Sequence, residues 1–166
     1  MNHSPRRTAL GLLLALSVSG CVSDRPKTIA IVNESASLTG EIPSNPLRWK
    51  VITSEMSAAD LTQATLFGND VAVRYARTST QHDYPNGAIL ALVTWMQQED
   101  PRWFGAKIPS QARSVEFVYV GEPKDGKPTY SYEKYEGTPL KKRGVPETIL
   151  NDRAQYLMQQ RAAVMP

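Results

Sequence analysis

This sequence has little of what holds metals, haem or disulfides. Its 166 residues include one cysteine, Cys21, and two histidines, His3 and His82. A lone cysteine excludes an intramolecular disulfide, a Cys/His zinc site within one chain and C-x-x-C-H haem attachment. Beyond the first residues, a Ser-His-Asp device has only His82 to draw on. That histidine lies in the polar stretch Thr78–Asp83 just before a turn, which reads as an exposed loop position. A catalytic base also needs an orienting group and a shielded pocket. Long apolar runs are missing as well. The small-and-apolar stretch Ala9–Ser19 falls short of the about 20 apolar residues that cross a bilayer core. No internal repeat or low-complexity tract occurs.

What is present begins at the N-terminus. Arg6 and Arg7 precede that apolar stretch, and Val18-Ser19-Gly20-Cys21 ends it. These are the charged region, apolar region and small-residue cleavage site of a bacterial secretory signal. Because the run ends in cysteine, it resembles a lipoprotein lipobox. The expectation is a signal peptide over residues 1–20, cleavage before Cys21, lipidation of Cys21, and a short polar tether over 21–27. Two or more acyl chains suffice for stable anchoring, where one is marginal. The chain is therefore expected in the cell envelope of a Gram-negative bacterium, facing the periplasm. Val22, in place of an aspartate after the cysteine, favours the outer membrane. Ser4–Leu10 resembles a twin-arginine signal but lacks a bulky apolar residue at Ala9, so both export routes stand.

Removal of the signal changes the charge argument. It takes away two of 19 basic residues and none of 16 acidic ones, leaving a formal charge of +1 in place of +3. No nucleic-acid partner is implied. What remains suits one domain, residues 28–166, with an adequate core.

Local patterning predicts the elements. Thr28–Val32 has strand composition, and Asn33–Pro46, rich in Ser, Gly, Pro and Asn, is a loop. Leu47–Thr53 alternates Leu47, Trp49, Val51 and Thr53 against Arg48, Lys50 and Ile52, a half-buried strand. Ser57–Asp60 is suited to cap a short helical turn. Ala64–Phe67 is a strand stopped by Gly68. Asn69–Arg77 reads as a helix, with Asn69 as N-cap and Asp70 at the positive helix start. Tyr84-Pro85-Asn86-Gly87 is a turn. It leads into Ala88–Met96, an almost wholly apolar run expected to be a central strand covered on both faces. Gln97–Pro109 is a connection, Ser114–Val120 a strand, Glu122–Pro128 a hairpin loop and Thr129–Tyr135 its partner strand. Glu147–Val164 is helical, with Leu150, Ala154, Leu157 and Met158 on one face. The sum is α+β: an antiparallel β-sheet with a short helix and a C-terminal helix packed on it.

The succession Phe67–Arg74, then Tyr84–Leu90 with Trp95, resembles the cytochrome P-460 family, with the likeness strongest over residues 38–120. The resemblance implies a small periplasmic protein, often a homodimer, with a sheet-rich fold around a c-type haem. It also implies hydroxylamine or nitric oxide chemistry. The departures bear on the chemistry. The family's C-x-x-C-H lies near its C-terminus, where Pro139–Pro166 here holds neither cysteine nor histidine. The family's haem-linked lysine corresponds most nearly to Leu92. The fold is expected to carry over without the covalent cofactor.

Three readings follow. The first is a haem-free binding or accessory lipoprotein with no cofactor, its cavity lined by Trp49, Tyr75, Trp95, Trp103 and Phe104. The second is a redox protein holding haem b non-covalently, with His82 as axial ligand. The third is an enzyme built on a carboxylate, Glu116, which alternation places with Val118 and Val120 on the face opposite Val115 and Phe117. A carboxylate there either has a raised pKa or pairs with an arginine such as Arg74 or Arg113. The first reading is preferred.

Overall fold

A computed structural model describes residues 32–125 and 127–163; of Lys127 it describes the backbone alone. The predicted strand at Thr28–Val32 and Cys21 therefore lie outside the described residues, Val32 excepted.

Six antiparallel strands pair in chain order as a meander: β1 (Lys50–Ser57), β2 (Thr62–Gly68), β3 (Ile89–Glu99), β4 (Lys107–Lys124), β5 (Lys127–Glu136) and β6 (Lys141–Arg143). Helix α1 (Asp70–Thr78) joins β2 to β3, and α2 (Glu147–Gln159) follows β6. The class is α+β, as expected.

The best-determined corner is the start of α1. The Asn69 side chain accepts from the Ala72 N–H at 3.0 Å, capping the helix. The same oxygen accepts from the Ile89 N–H at 3.2 Å, and its amide donates to the Gly87 carbonyl at 2.8 Å. One side chain thus ties the helix start to the 84–87 turn and the first residue of β3. Gly87 takes φ +81°, a conformation that favours glycine. The turn closes with the Ala88 N–H on the Pro85 carbonyl at 3.0 Å.

β3 is central and buried on both faces, as its apolar run predicts. Leu90 and Leu92 join Leu66, Val118, Val120, Tyr132 and the inward residues of both helices. Ala91, Val93 and Trp95 join Phe67, Val115, Phe117 and Tyr135 on the other face, which is covered by Ala36, Leu38, Ile42 and Trp49. Two layers of chain therefore sandwich one sheet.

Several expectations need correction. Leu47 is not in a strand: Pro46–Arg48 is a 3-10 turn capped by Asn45, and β1 begins at Lys50. Within β1, Ile52 faces the helices and is buried while Val51 is exposed, and a bulge between Val51 and Thr53 interrupts the register; Leu47, outside the strand, is exposed too. Ser57–Asp60 caps no helix. Ser57 and Asp60 instead hydrogen-bond across the tight β1–β2 turn. The Gln97–Pro109 connection is partly strand, since β3 and β4 continue into it from both ends and leave 100–106 as a loop. The 122–128 loop is likewise shortened by β4 and β5. The short β6 carries Lys141, Lys142 and Arg143, all exposed, so no apolar pattern announces it. α2 stops at Gln159 rather than Val164, with Leu150, Ala154, Leu157 and Met158 turned inward as predicted.

Candidate functional site

Glu116 stands on β4 among the residues that face the helices, with Val118 and Val120, as strand alternation requires. It is 4 % exposed. Its partner is neither Arg74 nor Arg113, both of which are exposed. Arg153 of α2 grips it, donating Nε to Oε2 and Nη2 to Oε1, each at 2.9 Å. The Tyr132 hydroxyl of the neighbouring β5 also donates to Oε2. Burial, and then the hydrogen bond to Glu116, push the Tyr132 hydroxyl well above its usual range. The hydrogen bond to Glu116 likewise raises the Arg153 guanidinium, whose plane packs 4.7 Å over the Tyr156 ring. The carboxylate thus accepts three hydrogen bonds, two on Oε2 and one on Oε1, from groups that hold it in place. Its chemistry is that of a clamp holding α2 to the sheet. The signal for Arg153 was in the sequence: it sits three residues after Leu150 and next to Ala154, on the inward stripe, where an arginine needs a buried acid.

His82 is exposed and lies outside that cluster. Its Nδ1 is 3.2 Å from the Met158 carbonyl oxygen, which can only accept. Nδ1 is therefore the donor in this contact. Beside it, the Tyr75 hydroxyl donates to Asp83, and the rings of Tyr75 and Tyr84 pack at 5.0 Å. Tyr84 is buried, which pushes its hydroxyl up to about 12.

The loop carrying His82 and Tyr84 separates two open recesses. One, of about 520 Å³, is lined by Arg77, Ser79, Thr80, Arg161 and the shared Gln81, His82 and Tyr84, among others. None of its lining residues is acidic. Neither arginine has an ionic partner among the described residues. The other recess, of about 550 Å³, holds Asp83, Thr129, Tyr130, Gln155 and Met158 beside the same three residues. Sequence reasoning singled out His82 but missed Arg77 and Arg161. Each lies near the end of a helix, and nothing local to either shows that the two helix ends meet around one loop.

The five aromatics expected to line a cavity do not meet. Trp49 and Trp95 pack on the sheet face opposite the helices, and Tyr75 on the helix face. Trp103 and Phe104 are 70 % and 111 % exposed at the tip of the β3–β4 hairpin. Around Leu92, which is 3 % exposed, the space bounded by Ala64, Leu66 and Tyr156 amounts to about 10 Å³, room for about one water. A haem linked at that strand position has neither the space nor an attaching side chain, so the residues do not fit a covalently held haem. Among the described residues, no three His, Cys, Asp or Glu side chains converge as a metal site. None of the helices they form is long and apolar enough to cross a membrane. Neither a family model nor a curated protein matches this chain.

Proposed function

We propose that this is a lipid-anchored periplasmic protein of cytochrome P-460-like architecture that holds no covalent haem. It serves as a binding or accessory protein rather than as an enzyme, and its binding surface is the recess beside His82. Cys21 is the anchor in this reading, and the outer membrane the destination. The observation that carries the binding role is the lining of the 520 Å³ recess: Arg77 and Arg161 with Ser79 and Thr80, and no acid among the lining residues. That set suits a small anion, because planar guanidinium groups pair with carboxylate or phosphate oxygens by charge-assisted hydrogen bonds.

Inorganic phosphate and acetate are the probes. Added to isotope-labelled protein, either should shift the amide resonances of Ser79–His82 saturably, and Arg77→Gln with Arg161→Gln should abolish the shift. No shift with either anion sinks the binding site.

A second reading, haem b on His82, has one observation in its favour: His82 and Met158 line the same 550 Å³ recess. Gln81, Asp83, Thr129 and Gln155 line it too, which suits a polar ligand better than a macrocycle. Hemin titration separates the two. A saturable one-to-one complex of submicromolar affinity, lost in His82→Ala, decides for haem b; the first reading expects neither a saturable complex nor a Soret band.

A further inference from the structure

The tip of the β3–β4 hairpin is the most apolar exposed point among the described residues. Trp103 and Phe104 stand adjacent there, 70 % and 111 % exposed. A protruding pair of rings has no pocket of its own. Such a tip fits a partner that can close around it, and Trp in particular settles at the boundary between water and hydrocarbon.

Two backbone hydrogen bonds close the loop beneath the rings. The Asp100 N–H donates to the Ala106 carbonyl at 2.9 Å, and the Ala106 N–H to the Trp103 carbonyl at 3.1 Å. The Asp100 carboxylate accepts from the Arg102 N–H at 2.8 Å. Gly105 makes the reversal at φ +77°. The remaining polar groups of the loop keep their water at headgroup level, where Trp rings settle without entering the hydrocarbon. The collar is electrically balanced: Asp100 pairs with Arg102, and Glu99 with Lys107. No uncompensated carboxylate of the collar opposes an anionic surface.

A second observation says what the tip faces. The Trp95 indole donates to the Ala36 carbonyl at 2.9 Å. The Gln98 amide donates to the Ser35 hydroxyl at 3.3 Å, and the Asn33 amide to the Pro109 carbonyl at 2.6 Å. Read backwards from Ala36 to Asn33, the chain climbs the hairpin from Trp95 toward the 100–106 loop. The fold therefore receives its N-terminal lead at the end that carries the aromatic tip. Cys21 is 12 residues before Asn33, a reach of at most ~40 Å.

We infer that Trp103 and Phe104 form a second, non-covalent membrane contact, inserting into the lipid interface at the end of the molecule where the acylated Cys21 is tethered. The inference rests on the anchored reading above. One acyl-bearing residue fixes the protein to the surface, and the aromatic tip then fixes which end faces it. The His82 recess is left to the aqueous side.

The test uses full-length protein exported by its own signal and reconstituted into vesicles of phosphatidylethanolamine and phosphatidylglycerol with brominated acyl chains. Subtracting the fluorescence of Trp103→Tyr from that of wild type isolates Trp103 from Trp49 and Trp95. Bromine should quench this component roughly two-fold, as for an indole at the interface. A Trp103 component indifferent to bromine while the protein stays on the vesicles overturns the tip contact and leaves the anchor standing. If Cys21→Ser protein freed of its signal peptide binds the vesicles as well as wild type and its Trp103 is quenched, the anchor reading falls and the tip contact stands. A concentration-dependent dimer that protects Trp103 from bromine, and is lost in Trp103→Tyr, assigns the tip to a second copy of the chain and overturns the inference.

Discussion

Arg153 and Glu116 lie 37 residues apart and lock together by two N–H···O bonds of 2.9 Å, joining α2 to the middle of β4. The carboxylate is almost wholly buried, whereas the arginine side chain keeps 36 % of its exposure. Removing the arginine strands a buried charge, a loss larger than that of a surface pair but reduced by the solvent at the guanidinium. Arg153→Met should destabilise the fold by about 2–3 kcal/mol. Adding Glu116→Leu to it should recover part of that loss, since two apolar side chains leave nothing unpaired. Urea unfolding of the two single variants and the double variant measures the coupling. Additive effects would show that the two side chains do not act as a pair.

Tryptophan substitution discriminates core from tip. Trp95 is 5 % exposed, packs edge-on to Phe67 at 6.5 Å and donates to Ala36. Trp95→Ala should cost about 3–5 kcal/mol. Trp103→Ala, at an exposed position, should stay within about 0.5 kcal/mol of wild type. Equal losses at the two sites would contradict the placement of β3 at the centre.

The pH profile has an alkaline limit set by buried tyrosines. Burial raises Tyr84 from 10.0 to about 12, and Tyr119 and Tyr156 shift in the same direction to about 12. A group whose pKa is raised by folding stabilises the native state below its unfolded pKa, where both states are neutral. That contribution is lost as pH climbs from about 10 through about 12. The thermal midpoint should fall across this window, with tyrosinate absorbance lagging behind that of urea-unfolded chain. Tyr84→Phe should make the fall shallower. A flat midpoint through the window would contradict the burial of these hydroxyls.

Anchoring gives a fractionation experiment. Cys21→Ser should leave an uncleaved precursor or a domain released in soluble form, while wild type partitions into detergent. Identical soluble behaviour of both removes Cys21 as the attachment point.

Legibility in the sequence followed the range of each interaction. Asn69, the 84–87 turn and the apolar run of β3 were readable because a cap, a tight turn and a doubly covered strand each leave their mark within a few residues. The face of Glu116 was readable for the same reason, since alternation has a period of two. The burial of Ile52 was not, because alternation separates the two faces of β1 but only the packing of the helices decides which one is covered. β6 was invisible: its three basic side chains are exposed, and it is held to β5 by backbone pairing and by the Lys142–Glu133 and Arg143–Glu136 ion pairs.

The sequence alone therefore determined the α+β order of elements, the cap and turn that start α1 and β3, the apolar centre of the sheet and the shortage of haem- and metal-binding side chains. Tertiary structure decided that Arg153 answers Glu116, that His82 separates two recesses and lies against Met158, and that Trp103 and Phe104 leave the core altogether. The physical reason is separation along the chain. His82 and Met158 are 76 residues apart and Arg153 and Glu116 are 37 apart. Which of such distant groups meet depends on the summed packing of the whole sheet against its helices, offset by the entropy of closing the loops between them.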